Sequence, residues 1–158
     1  MATKYDAAIA GEIIGRHGAR PELLVQILHD FMDRYGCITD EAVRQLAREL
    51  NLSRAEVHGV VSFYHDFRRE PAGRHIVKIC QAESCQAMGS RQLTAHAEKK
   101  LGVALEGTTG DSGITLEPVY CLGNCACSPA IMIDDRVFGR VDAKRFDGLV
   151  AALDGADV

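Results

Sequence analysis

Two short segments hold five of the six cysteines of this chain: CQAESC, beginning at Cys80, and CLGNCAC, beginning at Cys121. Thiolates gathered in this way bind soft metal ions or iron–sulfur clusters, or form a disulfide. Their spacings are C-x4-C, C-x3-C and C-x-C. A thioredoxin-type redox pair requires C-x-x-C, which the chain lacks. Structural zinc takes four cysteines, but usually on tight two-residue knuckles that are missing here. Buried thiols serving as small hydrophobes suit a lone cysteine better than clusters set among glycines and polar groups. A 2Fe–2S cluster fits best, because it needs two thiolates on each of two irons and each segment supplies a pair. Cys80 and Cys85 are the candidates in the first segment. Three thiols compete for two places in the second; Cys121 and Cys125 are preferred, with Cys127 as the alternative. Cys37 lies far off in sequence and reads as a thiol without a role. A four-thiolate cluster is negatively charged and wants backbone N–H donors, so Gly89 and Gly123 are expected to let the backbone approach the sulfurs. Pro129 stiffens the exit from the second segment.

The elements around these segments must bring them together. The stretch HIVKIC, residues 75–80, reads as a buried strand, and 84–101 reads as one helix ending at Gly102. The segment GTTGDSG follows as a loop. Residues 114–120 form a second strand, and 130–134 and 136–141 two more across a tight turn. Asp142 caps a last helix that turns Phe146, Leu149, Val150 and Leu153 inward, with Gly155 past its end. Each cysteine pair thus follows the carboxyl end of a strand, where open α/β sheets place their sites. Should the two strands be parallel neighbours, the loops face each other. Before residue 74 the grammar is helical. Residues 1–20 read as a loose start or a short helix. Leu23, Leu24, Ile27, Leu28, Phe31 and Met32 form the stripe of a first clear helix. Thr39 opens a second, lined by Ala42, Val43, Leu46, Ala47 and Leu50. The pair Ser53 and Glu56 is a capping box opening a third, whose inner face is Val57, Val60, Val61 and Tyr64. The expected division is a helical segment over 1–73 and an α/β (α+β) domain over 74–158.

The chain has 158 residues, 47% apolar and 25% charged, with a formal net charge of -4. That composition is ordinary for a globular protein, and no basic run favours nucleic acid. The start has no signal-peptide pattern, and no apolar run suits a membrane helix, so a cytoplasmic location without direct membrane insertion is expected. There, clustered cysteines point to metal or redox chemistry. No G-x-G-x-x-G or G-x-x-x-x-G-K-[ST] nucleotide motif occurs, and no substrate pocket or catalytic residue is expected. The six histidines form no H-x-x-x-H pair and none lies in a cysteine segment. Lys78, Arg91, Lys99 and Lys100 read as solvated charges. Glu83 and Ser84 read as loop residues whose backbone matters more than their side chains. Phe63, Tyr64 and Phe67 read as core or a docking face, with core preferred because Phe63 and Phe67 share a face at i and i+4.

CQAESCQAMG and CLGNCACSPA together resemble the thioredoxin-like 2Fe–2S subunit family. Its members are the flavin-neighbouring small subunit of respiratory complex I, its counterpart in bidirectional hydrogenases, and the gamma subunit of soluble NAD-dependent formate dehydrogenases. The resemblance runs from about Leu23 to Leu153 and includes HGVVSFYHDF. It implies an N-terminal three-helix segment followed by a thioredoxin-like 2Fe–2S domain with a small mixed four-stranded sheet. It also implies one 2Fe–2S cluster on Cys80, Cys85, Cys121 and Cys125, with Cys127 not used. Within the family, SRAEVHGVVSFYHDFRREPAGRH and CQAESCQAMG most resemble the formate dehydrogenase branch. That implies a partner subunit holding FMN and the NAD site, and a catalytic partner holding the molybdenum cofactor. Formate would be oxidised there, and this chain would carry single electrons beside the flavin. The alternative is the equivalent small subunit of NADH:quinone oxidoreductase or a bidirectional hydrogenase. Readings of a different class are a zinc-stabilised interaction module and a stand-alone ferredoxin shuttle, which the helical segment disfavours.

Overall fold

The computed structural model describes residues 4–154. The chain divides into two compact units, 1–72 and 73–158. The first is helical: α1 Ala7–Arg16, a 3-10 turn Pro21–Leu23, α2 Leu24–Tyr35, α3 Asp40–Glu49 and α4 Arg54–Phe63. Four α-helices therefore stand, among the described residues, where three were expected. The added helix is α1, which two glycines, Gly11 and Gly15, make a poor former on propensity. Its start is fixed by Asp6, whose carboxylate accepts from the N–H groups of Ala8 at 2.8 Å and Ile9 at 3.3 Å. Ala10, Ile13 and Ile14 are its buried face, and they join Ile27, Leu28, Phe31, Leu46 and Val57 in one core. The capping box of α4 is formed: Glu56 N–H donates to Ser53 Oγ at 3.1 Å and Ser53 N–H to Glu56 Oε2 at 2.8 Å.

α4 also corrects the aromatic reading. It ends at Phe63, and Tyr64 turns to extended backbone with φ -92° and ψ 117°. The i, i+4 relation between Phe63 and Phe67 is thereby lost. Phe67 is buried against the His29 ring at 5.0 Å, whereas Phe63 is 74% exposed and Tyr64 43%.

Tyr5 gives this unit a pH dependence. Its hydroxyl donates to Gln45 Oε1. Burial, then the neighbouring Tyr35 phenol, pushes its pKa up to about 12. The folded state thus holds the phenol proton more tightly than the unfolded chain, whose tyrosines titrate near about 10. This contribution is complete below about pH 10 and is lost as pH rises through about 12. The urea midpoint of the helical unit is expected to fall across that window. Tyr5→Phe should flatten the fall; an equal fall in both proteins would refute the assignment.

The second unit carries the sheet: β1 His75–Cys80, α5 Glu83–Ala87, α6 Ser90–Leu101, β2 Gly107–Thr108, β3 Ile114–Val119, a 3-10 turn Cys125–Cys127, β4 Ile131–Ile133, β5 Arg136–Phe138 and α7 Ala143–Asp154. The strand order is β2-β3-β1-β4-β5. Five strands, among the described residues, replace the expected four. The fifth is the two-residue β2, drawn from the start of GTTGDSG and paired antiparallel with β3 through Gly107 opposite Leu116. β1 is central, parallel to β3 and antiparallel to β4. Val77, Ile79, Leu116, Ile131 and Ile133 of the sheet pack with Leu93 and Ala97 of α6 and with Phe146 and Val150 of α7. Asp142 caps α7 as expected, its carboxylate accepting from Arg145 N–H at 2.7 Å. Gly155 lies outside the described residues. No helix among the described residues is long and apolar enough to cross a membrane.

The single helix expected over 84–101 is two. Gly89 sits between α5 and α6 at φ +100°, a conformation open to glycine and costly for other residues. Ser90, the first residue of α6, is fully buried and donates its hydroxyl to the carbonyl of Cys80 at 2.6 Å. That bond ties the start of α6 to the end of β1, and the chain between must turn sharply to make it.

Candidate metal centre

The two cysteine segments meet because β1 and β3 are parallel neighbours. Their register sets Cys80 opposite Val119, so both loops leave the sheet at the same end. The ladder runs one residue further, with Gln81 N–H donating to the carbonyl of Val119 at 2.7 Å. The first loop turns into α5, which carries Cys85. The second passes Cys121 and enters the 3-10 turn at Cys125.

The thiols stand as two pairs. Cys80 and Cys85 interact directly, as do Cys121 and Cys125, and Cys125 also feels Cys85 across the loops. A pair from each loop matches the two thiolates that a 2Fe–2S centre needs on each iron. The environment is graded as well. Cys80 and Cys85 are buried beside Ala130, with Ala82, Val119 and Leu122 packed around them. Cys121 and Cys125 are exposed.

Backbone donors point at the sulfurs. Burial pushes the Cys80 thiol up, opposed by the N–H groups of Ala82 and of Leu122 in the other loop. Burial also raises Cys85, but the Ser128 hydroxyl, the Ala130 N–H and the Cys80 thiol outweigh it and hold it below the ordinary thiol value. The Cys121 thiol is the main cause that raises Cys125. Gly123, at φ +70°, brings its N–H to 3.3 Å from Cys121 Sγ. Cys121 itself adopts φ +124°. A non-glycine residue there costs about 1–3 kcal/mol and persists only where the surroundings enforce it, commonly at functional positions. Gly123 thus meets the expectation of close approach to sulfur; Gly89 serves the break between α5 and α6.

Cys127 is partly buried, and its Cβ and backbone pack against Gly139. A Cβ on Gly139 would stand 2.6 Å from Cys127 Cβ, 2.7 Å from Asn124 Nδ2 and 2.9 Å from the Cys127 carbonyl oxygen. The adjoining Arg140 N–H donates to that carbonyl at 2.6 Å. The turn after β5 is thereby clamped onto the second cysteine loop. Gly139→Ala is expected to cost about 1–3 kcal/mol through overpacking. Its effect should appear as a lower melting temperature together with faster bleaching of the visible spectrum in air. An unchanged melt would show that the loop gives way freely. Cys37 is buried in the helical unit, and burial raises its thiol.

Charged neighbours play smaller parts than the sulfurs' N–H donors. Lys78 Nζ lies 3.8 Å from Glu117 Oε2 on the adjoining strand, both partly buried. Three histidines hydrogen-bond to carboxylates: His17 to Asp30 at 2.9 Å, His75 to Asp134 at 3.0 Å and His96 to Asp147 at 2.8 Å. Reasoning from sequence passed over two side chains. Ser84, read as a backbone contributor, places its hydroxyl 2.9 Å from that of Ser128. Ser128 in turn reaches Cys85 Sγ at 3.4 Å. Their neighbourhood to cysteines was the only local signal.

The donor set is one of soft thiolates in pairs with N–H support, the set that 2Fe–2S centres use. Residues 10–154 match the thioredoxin-like 2Fe-2S ferredoxin family, and the chain belongs to that family. Membership brings with it one 2Fe–2S cluster. Among relatives, a subunit of the NADH-quinone oxidoreductase of Pseudomonas aeruginosa is 36% identical over 130 residues, spanning 82% of this chain and 76% of that protein. The corresponding NADH-quinone oxidoreductase subunit of Rhizobium meliloti is 31% identical over 157 residues, spanning 99% of this chain and 90% of that protein. Among solved structures, an NAD+-reducing NiFe hydrogenase in its air-oxidised state superposes with a TM-score of 0.70 at 23% identity. That match spans 86% of this chain but only 23% of the hydrogenase chain, and it speaks to the fold alone.

Proposed function

We propose that this chain is the small electron-transfer subunit of a multisubunit NADH-linked oxidoreductase, and that Cys80, Cys85, Cys121 and Cys125 hold its cluster. The observation that carries the reading is the parallel pairing of β1 and β3, which delivers one thiol pair from each loop to the same end of the sheet. When bound, the cluster supplies a one-electron store. The rest of the work falls to the chain itself. Ala130, Val119 and Leu122 keep water from Cys80 and Cys85. The N–H groups of Ala82, Leu122, Ala130 and Gly123 stabilise negative sulfur. The exposed pair, Cys121 and Cys125, marks the side from which an electron partner approaches. That partner is a subunit holding FMN and the NAD site.

Two complexes compete for the chain. The relatives favour the NADH-quinone oxidoreductase type, which takes precedence. The formate dehydrogenase reading, with a molybdenum-containing catalytic partner, rests on the wording of SRAEVHGVVSFYHDFRREPAGRH and CQAESCQAMG. The test is to purify the complex through a tag on this chain, without oxygen, and to offer it NADH or formate. Reduction of the cluster by NADH is expected in either complex. Reduction by formate, with molybdenum in the preparation, would select the second. A chain that comes down alone and is reduced by neither would overturn the subunit reading.

A further inference from the structure

We infer that Ser128 is a positioning residue for the cluster: its hydroxyl donates to the Cys85 sulfur and, supported by Ser84, makes the centre easier to reduce. The inference rests on the reading that Cys85 is a cluster ligand. Ser128 Oγ has three polar neighbours: the Cys125 carbonyl at 2.9 Å, Ser84 Oγ at 2.9 Å and Cys85 Sγ at 3.4 Å. Ser84 Oγ also lies 3.2 Å from the Cys125 carbonyl. The two hydroxyls hold one proton each. As a free thiol, Cys85 keeps its own proton and its sulfur accepts weakly, so Ser128 is best spent on the Cys125 carbonyl.

A metal-bound Cys85 has no proton and carries negative charge. It is then the strongest acceptor within reach of Ser128. Ser84 takes over the Cys125 carbonyl, or donates to Ser128 Oγ and strengthens its bond to sulfur. In the first arrangement the Cys125 carbonyl keeps a hydroxyl donor; in the second it turns to solvent, Cys125 being exposed. The clip joins α5 to the 3-10 turn and so links a buried ligand of the first loop to an exposed ligand of the second. One electron added to the centre raises the charge on its sulfurs, and a hydrogen bond to sulfur strengthens with that charge. The bond therefore favours the reduced state, and hydrogen bonding to sulfur is one of the features that set the potentials of such clusters.

The experiment is an anaerobic redox titration of the purified complex, read by the resonance signal of the reduced cluster, on samples with full iron content. Ser128→Ala is expected to shift the oxidised-to-reduced ratio at a given potential about tenfold toward oxidised, a drop of about 59 mV for one electron. Ser128→Thr, which keeps the hydroxyl, should restore most of it, and Ser84→Ala should give a smaller drop of the same sign. An unchanged potential in Ser128→Ala would overturn the inference, even with iron lost faster on heating, because the role would then be only structural. Should Ser128→Ala fail to hold iron, Ser84→Ala decides: a drop supports the relay and no drop overturns it. Failure of the ligand reading itself looks different, since Cys85→Ser would then retain full iron.

Discussion

Cys125→Ser is expected to strip the chain of its cluster while leaving the fold standing. Loss of a mere outer-shell partner already costs about 10–100-fold in metal affinity. Loss of a ligand should leave less than about a tenth of the native iron and remove the visible absorption. The position makes the test clean. Cys125 is exposed, so the substitution should change the stability of the metal-free chain by no more than about 0.5 kcal/mol. Cys121→Ser should behave alike. Cys80→Ser and Cys85→Ser should lose the iron and also some stability, because both side chains sit in the apolar pocket with Ala130. Cys127→Ser and Cys37→Ser should keep full iron. Full iron in Cys125→Ser with loss in Cys127→Ser would reverse the assignment within the second loop.

Phe146→Ala is expected to be the costliest core substitution in the second unit, at about 3–5 kcal/mol. Its ring is fully buried between α7 and the sheet and meets the His96 ring of α6 edge-on at 6.1 Å. Truncation leaves a void among Val77, Ile79, Leu116 and Leu93, which belong to strands and a helix that cannot all close in. Both cysteine loops spring from this sheet. Bleaching of the cluster and loss of sheet structure should therefore move together to lower denaturant. Bleaching at the native denaturant concentration, after the sheet has gone, would mean that the loops hold the cluster without the core beneath them.

How far the sequence was legible depends on the range of the interaction concerned. The capping box of Ser53 and Glu56 is a local pattern and could be read directly; the clustering of the cysteines is local too, but spacing alone leaves three thiols competing for two places in the second segment. The convergence of the loops could be read only as a condition, since parallel pairing of 75–80 with 114–119 is not written in either strand. For residues 1–20 the sequence allows either a loose start or a short helix, because Gly11 and Gly15 weaken a helix that its Asp6 cap and tertiary packing secure. The break at Gly89 was missed because the apolar pattern runs through it; the bond from Ser90 to the Cys80 carbonyl imposes it. Phe63 was misread because the i, i+4 argument assumed a helix that stops at that residue. The hydroxyl clip joins Ser84 to Ser128 across 44 residues, beyond what spacing reveals.

The measurement that bears most directly on the central claim uses the native chain, expressed and purified without oxygen. Iron, acid-labile sulfide and zinc are counted on one sample, and its visible spectrum and low-temperature paramagnetic resonance are recorded after dithionite. The account predicts a red-brown protein with about two irons and about two sulfides per chain, and a reduced signal from one coupled pair. A colourless protein holding about one zinc and no sulfide would contradict it and would make the two loops a structural clip.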